Sequence, residues 1–170
     1  RESAVAQDRC GDVAMRTGDA ALASQNYARA RDIRANFAAR EQTPGPWTRD
    51  LAVSDTKLGD VALAAGDAEQ ARRRFEASLA VRMEFARRAP QDPTTKRDIA
   101  ICLERLGMAA SAAGDTRAAR AAWEQELKIA DGLRALEPTD PRTRRFQAVV
   151  HALLATLGEA DHHDHRHRAI

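Results

Sequence analysis

The side chains best suited to chemistry lie at the carboxyl end of the chain. Four of the five histidines fall within residues 161–168, where they alternate with aspartate and arginine. Imidazole and carboxylate groups are ligands for zinc, nickel and copper. No rigid element sets a ligand spacing in this stretch, so the sequence predicts a disordered, His-rich tail over 161–170 and no metal site.

The two cysteines are the only other candidates for reactive groups. Cys10 and Cys102 lie in helical patterns with no histidine nearby, so we interpret both as reduced packing residues rather than nucleophiles or disulfide partners. The sequence contains no phosphate-binding loop, nucleophile elbow or paired-histidine zinc motif. We therefore expect no catalytic residues, no cofactor and a function other than catalysis.

Charge and hydropathy restrict the class of partner. The 170 residues include 27 lysines and arginines against 25 aspartates and glutamates, a balance that does not favour nucleic acid. Arginine runs at 72–74, 87–88 and 144–145 are typical of solvated helix faces. No apolar stretch is long enough for a membrane span, so we expect no membrane partner and a cytoplasmic protein. Because the chain begins at Arg1, we expect it to be the carboxyl-terminal part of a larger protein.

The chain repeats itself at a fixed step. Gly18-Asp19 recurs 48 residues later as Gly66-Asp67, and again as Gly114-Asp115. The same step relates three glycines, three alanines and three aromatic residues: Gly11, Gly59 and Gly107; Ala23, Ala71 and Ala119; and Tyr27, Phe75 and Trp123. This regularity indicates an internal repeat.

Each repeat has the pattern of two helices. In the second repeat, apolar residues recur at helical spacing on both sides of Gly66-Asp67. Glycine suits the end of a helix and aspartate the start of the next one. No strand-like alternation occurs, so the sequence predicts an all-α fold. We expect a single domain over 1–160, with repeats at about 1–46, 47–93 and 94–141 and a cap helix at 142–159.

These residues resemble those of a known repeat family. Leu58-Gly59-Asp60, Gly66-Asp67, Ala71, Phe75 and Leu79 have the order and spacing of the tetratricopeptide repeat. The usual repeat has about 34 residues, so this chain resembles the longer variety found in bacterial multidomain proteins. The resemblance implies a right-handed superhelical solenoid of antiparallel helix pairs, with three repeats and a carboxyl-terminal capping helix.

The resemblance also implies a concave groove lined by the first helix of each repeat. Such grooves bind a partner protein or peptide. The acidic positions would attract a basic segment and the apolar positions would take its apolar side chains. The positions that match are Asp8, Asp12, Arg16, Thr56, Asp60, Leu63, Ile101, Glu104 and Met108. The alternative interpretation of these residues is an ordinary solvated face.

Four other functions stay open from the sequence, one of which is metal sensing through the His-rich tail. The last helix has no second helix of its own repeat, so Val150, Leu153, Leu154 and Leu157 could join two copies into a homodimer. The chain could instead regulate an enzyme whose catalytic part precedes Arg1. The tail, which is basic in part, could occupy the acidic groove.

Overall fold

A computed structural model describes the backbone of residues 1–167 and the side chains of residues 1–157. Over this range the backbone forms helices and no strand, which confirms the all-α prediction. The helices are α1 (Glu2–Arg16), α2 (Ala20–Ala38), α3 (Pro46–Ala64), α4 (Ala68–Arg88), α5 (Pro93–Ala112), α6 (Thr116–Leu136) and α7 (Pro141–His167).

The packing divides the chain into two compact units, where the sequence predicts one domain. The N-terminal unit covers residues 1–90 and contains α1 to α4; the C-terminal unit begins at Gln91 and contains α5 to α7. Within each unit, every helix packs against the next one along the chain. The boundary lies in the connection between α4 and α5, where Pro90 and Pro93 prevent a continuous helix.

The turn inside each repeat is the same in all three. The glycine after the first helix has a left-handed φ of about 80°, which side chains disfavour. The aspartate that follows caps the second helix, because its carboxylate accepts a hydrogen bond from the backbone N–H three residues later. This bond measures 2.9 Å at each of the three turns: Asp19 to Leu22, Asp67 to Gln70 and Asp115 to Ala118. The turn chemistry predicted from the sequence is therefore confirmed.

An aromatic ring lies against a glycine at each crossing of paired helices. A methyl group on Gly59 would approach the Phe75 ring more closely than 3.0 Å, and Gly11 and Gly107 stand in the same relation to Tyr27 and Trp123. In the third repeat, the indole Nε1 of Trp123 also donates a 3.1 Å hydrogen bond to the carbonyl of Glu104 on α5. The glycines thus permit the close approach, and the rings fill the space that it creates.

Helix α7 covers the C-terminal unit. Its Val150 and Leu157 are buried in a core with Trp123, and Leu153 and Leu154 pack against that core. In the described structure these four side chains therefore hold α7 on its own unit, a different role from the homodimer contact predicted for them. The physical reason is that α6 presents an apolar face, which α7 removes from water.

The end of α7 differs from the expected boundary. The cap helix predicted over 142–159 is helical to His167, so it includes part of the predicted tail. The side chains from residue 158 onward, and residues 168–170 entirely, lie outside the described residues. The role of the tail therefore stays a prediction.

A matched pair of glycine substitutions tests the crossing. Gly107→Ala pushes a methyl group into the buried Trp123 ring, so we expect the free energy of unfolding to fall by about 1–3 kcal/mol. Gly132→Ala on α6 is the control. A methyl group there meets no atom within 4 Å, so we expect stability unchanged or raised by up to about 1 kcal/mol. Urea unfolding of both variants measures the difference, and equal effects would contradict the role given to Gly107.

Candidate functional site

A pocket of about 570 Å³ lies between α5 and α7 in the C-terminal unit. Helix α5 contributes mostly charged residues to its wall, and α7 contributes two arginines and two apolar residues. The lining is formed by Thr94, Arg97, Asp98, Ile101, Glu104 and Arg105 from α5, and by Arg142, Arg145, Phe146 and Val149 from α7. We call this the α5/α7 pocket.

One arginine ties the start of α7 to α5 beside this pocket. The guanidinium of Arg97 on α5 pairs with Glu137 and, at 3.0 Å, with Asp140 in the connection before α7. Asp140 in turn accepts hydrogen bonds from the side chain and the backbone N–H of Arg142, which hold the pKa of its carboxyl at about 2. The charges of Arg97 and Arg142 are therefore neutralised where they stand.

The predicted groove residues of the C-terminal unit have different positions. Ile101 and Glu104 are half-buried and line the α5/α7 pocket. Met108 is 40% exposed on the same helix and is not among the lining residues. The structure thus brings two of these three side chains into one concavity.

Asp8 in the N-terminal unit is used internally. It is buried, and its carboxylate pairs at 2.6 Å with the guanidinium of Arg34, which is buried as well. The same guanidinium donates a 2.6 Å hydrogen bond to Ser54 on α3. A buried guanidinium needs such acceptors, so Asp8 joins helices rather than facing a partner, and the expectation for it is corrected.

Asp12 and Thr56 also hold helices together. Asp12 accepts hydrogen bonds from the hydroxyl of Tyr27 at 2.7 Å and the ammonium of Lys57 at 2.6 Å. Burial opposes ionisation of Asp12, but these bonds outweigh it and lower its pKa. Thr56 is buried, with its hydroxyl 2.9 Å from that of Ser78. Both residues therefore have structural partners that the groove assignment did not include.

The other predicted groove residues of this unit are more accessible. Arg16 is exposed, and Asp60 and Leu63 are half-buried. Their contact with a partner stays a prediction.

The N-terminal unit has a corresponding pocket between α1 and α3, of about 470 Å³. Its lining includes Val5, which is related to Ile101 by two steps of the repeat, and Arg34. Arg34 on α2, the second helix of the repeat, therefore contributes a guanidinium to the wall of this pocket. No α6 residue lines the α5/α7 pocket.

Glu126 on α6 is a residue whose importance sequence reasoning missed. It is fully buried, and neither carboxyl oxygen has a hydrogen-bond partner among the described residues. Burial, together with the negative charge of Glu104, raises the pKa of Glu126 to about 8. The repeat could have indicated this residue, because Glu126 occupies the position that is Ala30 in the first repeat and Ser78 in the second.

The cysteines are both free thiols, but only one is a packing residue. Cys102 is buried, whereas Cys10 is exposed. The expectation for Cys10 is wrong because α1, at the end of the chain, packs mainly against α2, while α3 packs against both α2 and α4 and so buries the corresponding Leu58.

Neither a protein-family model nor a curated protein matches this chain. Within the residues whose side chains are described, no cluster of three His, Cys, Asp or Glu side chains could hold a metal ion. Over the same range, no helix has the length and apolar character that crossing a membrane requires.

The burial of Glu126 makes stability depend on pH. Its pKa is 4.5 in the unfolded chain and about 8 in the folded one, so the folded state retains the proton longer. The free energy of unfolding should therefore fall as pH rises between these values, by up to about 1.4 kcal/mol per pH unit from this group. Glu126→Gln removes this contribution and should be more stable than the parent at pH 8.

Urea unfolding at several pH values between 5 and 8 measures this slope. Glu124→Gln is the control, because Glu124 lies on the same helix, has the same side chain and is exposed. Parallel pH profiles for the parent and Glu126→Gln would contradict the burial of an unpaired carboxyl at this position.

Proposed function

We propose that the chain is a protein-binding helical repeat of the tetratricopeptide type, in which the α5/α7 pocket binds a segment of a partner protein. The three identical turns and the three glycine–aromatic crossings support the repeat, because both recur at the 48-residue step. These are the same positions that carry the resemblance to the family. The solenoid and its handedness belong to this proposal.

One observation carries the binding role, namely the composition of the α5/α7 pocket. Ile101, Phe146 and Val149 are half-buried in its wall, so each side chain still has apolar surface that a partner can cover. Charged groups surround them, an arrangement typical of protein interfaces with apolar anchors inside a polar rim. The affinity would come from the anchors, and the charges would select the partner.

The α5/α7 pocket is a better candidate than the pocket of the N-terminal unit. There, the acidic residue at the corresponding position, Asp8, is buried and neutralised by Arg34. Glu104 keeps 22% of its side chain exposed, and its ion pair with Arg105 spans 3.9 Å. A charge that is both accessible and weakly paired is the one that a partner can use.

Selection from a random peptide library on the immobilised chain tests this function. Enriched peptides should bind the parent, and Val149→Glu and Ile101→Glu should each weaken binding by at least about tenfold, since a carboxylate replaces an apolar anchor. Fluorescence anisotropy with labelled peptides measures the affinities.

Lys128→Glu is the matched control, because it adds a carboxylate to an exposed position of α6 outside the pocket lining. Circular dichroism and thermal unfolding are used to check that each variant is folded. Enriched peptides that bind all three variants equally, or a selection that enriches no peptide, would contradict the proposal.

A further inference from the structure

The 48-residue repeat places an arginine at one position of the second helix in two repeats, but not in the third. Arg34 and Arg82 correspond to each other, and Ala130 takes their place on α6. Both arginines are buried. A buried arginine retained at a repeat position needs acceptors on neighbouring helices, and each of the two has them.

The acceptors are polar residues of the first helices and of the arginine's own helix. Arg34 pairs with Asp8 on α1 and Ser54 on α3, at 2.6 Å in both cases. Arg82 donates to Ser78 at 3.1 Å and to Thr56 at 3.3 Å. In both repeats the guanidinium therefore contacts a polar residue at the same position of the first helix, which is Asp8 in the first repeat and Thr56 in the second.

In the third repeat the acceptors are present and are more acidic. Glu104 occupies the position of Asp8 and Thr56, and Glu126 that of Ala30 and Ser78. At the position of the arginines, α6 has Ala130. The third repeat therefore has two carboxyl groups at the acceptor positions and no arginine at the position that supplies the guanidinium in the other two.

The position of Glu126 indicates that its carboxyl binds a ligand and does not merely fill space in the core. Its counterpart Ser78 points to the first helix of its repeat, where it donates to the carbonyl of Ala52 at 2.8 Å and lies against Thr56. Glu126 occupies the position of Ser78 and Glu104 that of Thr56, whose hydroxyl groups lie 2.9 Å apart in the second repeat, so we expect the carboxyl groups of Glu126 and Glu104 to be neighbours. Glu104 lines the α5/α7 pocket, so we expect the buried carboxyl of Glu126, which has no hydrogen-bond partner among the described residues, to lie next to the pocket wall.

We propose that the α5/α7 pocket takes a single arginine side chain from the partner segment, whose guanidinium pairs with Glu104 and Glu126 as Arg34 and Arg82 pair with their acceptors. This inference rests on the proposed function and adds the chemistry that the pocket recognises. The apolar wall of Ile101, Phe146 and Val149 suits the aliphatic part of an arginine side chain. The planar guanidinium has enough donors to reach two carboxylates at once, which an ammonium group does less well.

The charges on the rim limit the partner to one basic residue at this place. Arg97 and Arg142 are neutralised by Glu137 and Asp140. Arg105 pairs with Glu104 at 3.9 Å, so the partner's guanidinium would compete with it for this carboxylate, and Arg145 is exposed at the edge of the pocket. A run of basic residues would meet this arginine, whereas an isolated arginine next to acidic or apolar residues would not. The pocket is thus selective for an isolated arginine against a polybasic segment.

A small probe tests the guanidinium contact directly. N-acetylarginine amide is titrated into the full chain while NMR follows the side-chain carboxyl carbons of Glu104 and Glu126. We expect saturable shifts, with a dissociation constant on the order of millimolar, because the probe is small. N-acetylcitrulline amide has the same shape without the charge and should shift neither carbon. Equal responses to both probes, or none to either, would overturn the proposal.

The Ala130→Arg variant supplies the guanidinium from α6 itself. We expect it to lower the pKa of Glu126, to raise the thermal midpoint at pH 8 and to abolish binding of the probe, whereas Ala130→Met should do none of these. If Ala130→Arg does not fold, the double variant Glu104→Gln/Glu126→Gln decides, since it should bind the probe at least about tenfold more weakly. Unchanged probe binding in the folded variant would overturn the proposal.

The outcomes separate this inference from the proposed function. If the enriched peptides bind the pocket without an arginine and N-acetylarginine amide causes no shift, the inference is contradicted and the protein-binding function is still supported. If the probe binds as expected but the selection enriches no peptide, the guanidinium site is supported and the protein-binding function is contradicted.

Discussion

The contact between a glycine on the first helix of each repeat and an aromatic ring on the second determines how closely the paired helices approach. Gly107 and Trp123 show what depends on it, because the indole also donates to the carbonyl of Glu104. Close approach brings the second helix within reach of polar groups on the first. The short spacing allows buried polar contacts between paired helices, such as that between Thr56 and Ser78.

Those polar contacts distinguish the repeats from one another. In the N-terminal unit, buried guanidinium groups satisfy the acidic and hydroxyl groups of neighbouring helices, so the unit uses its charge to hold itself together. In the C-terminal unit, Ala130 replaces the arginine at the corresponding position of α6. Glu126 is buried without a guanidinium partner there, and its raised pKa means that it keeps its proton. Buried unpaired carboxyls are destabilising, and proteins tend to retain them where they serve a function.

The sequence predicted the elements well because their signals are local. Glycine with positive φ, the aspartate cap and the small residue at a crossing each act within a few residues of the chain, so the 48-residue step was sufficient to place them. Ile101 and Glu104 match groove positions of the tetratricopeptide repeat, and they line the α5/α7 pocket. The resemblance to that family rests on the same local signals and stays a proposal.

The side-chain partners were harder to predict, because they join residues from different helices. Asp8 and Thr56 match groove positions of the family, but arginines on the second helices reach them inside the unit. The signal was present in Arg34 and Arg82, two charged residues at a repeat position that otherwise faces the core. Val150 and Leu157 also have partners on another helix, since they lie in a core with Trp123 of α6; a homodimer contact through α7 stays a prediction.

The most direct test of this account is a crystal structure of the chain soaked with N-acetylarginine amide. The account predicts a guanidinium between Glu104 and Glu126, within hydrogen-bond distance of both carboxylates, with its aliphatic chain along Phe146 and Val149. A structure at saturating probe in which both carboxyl groups stay without a guanidinium contact would contradict it.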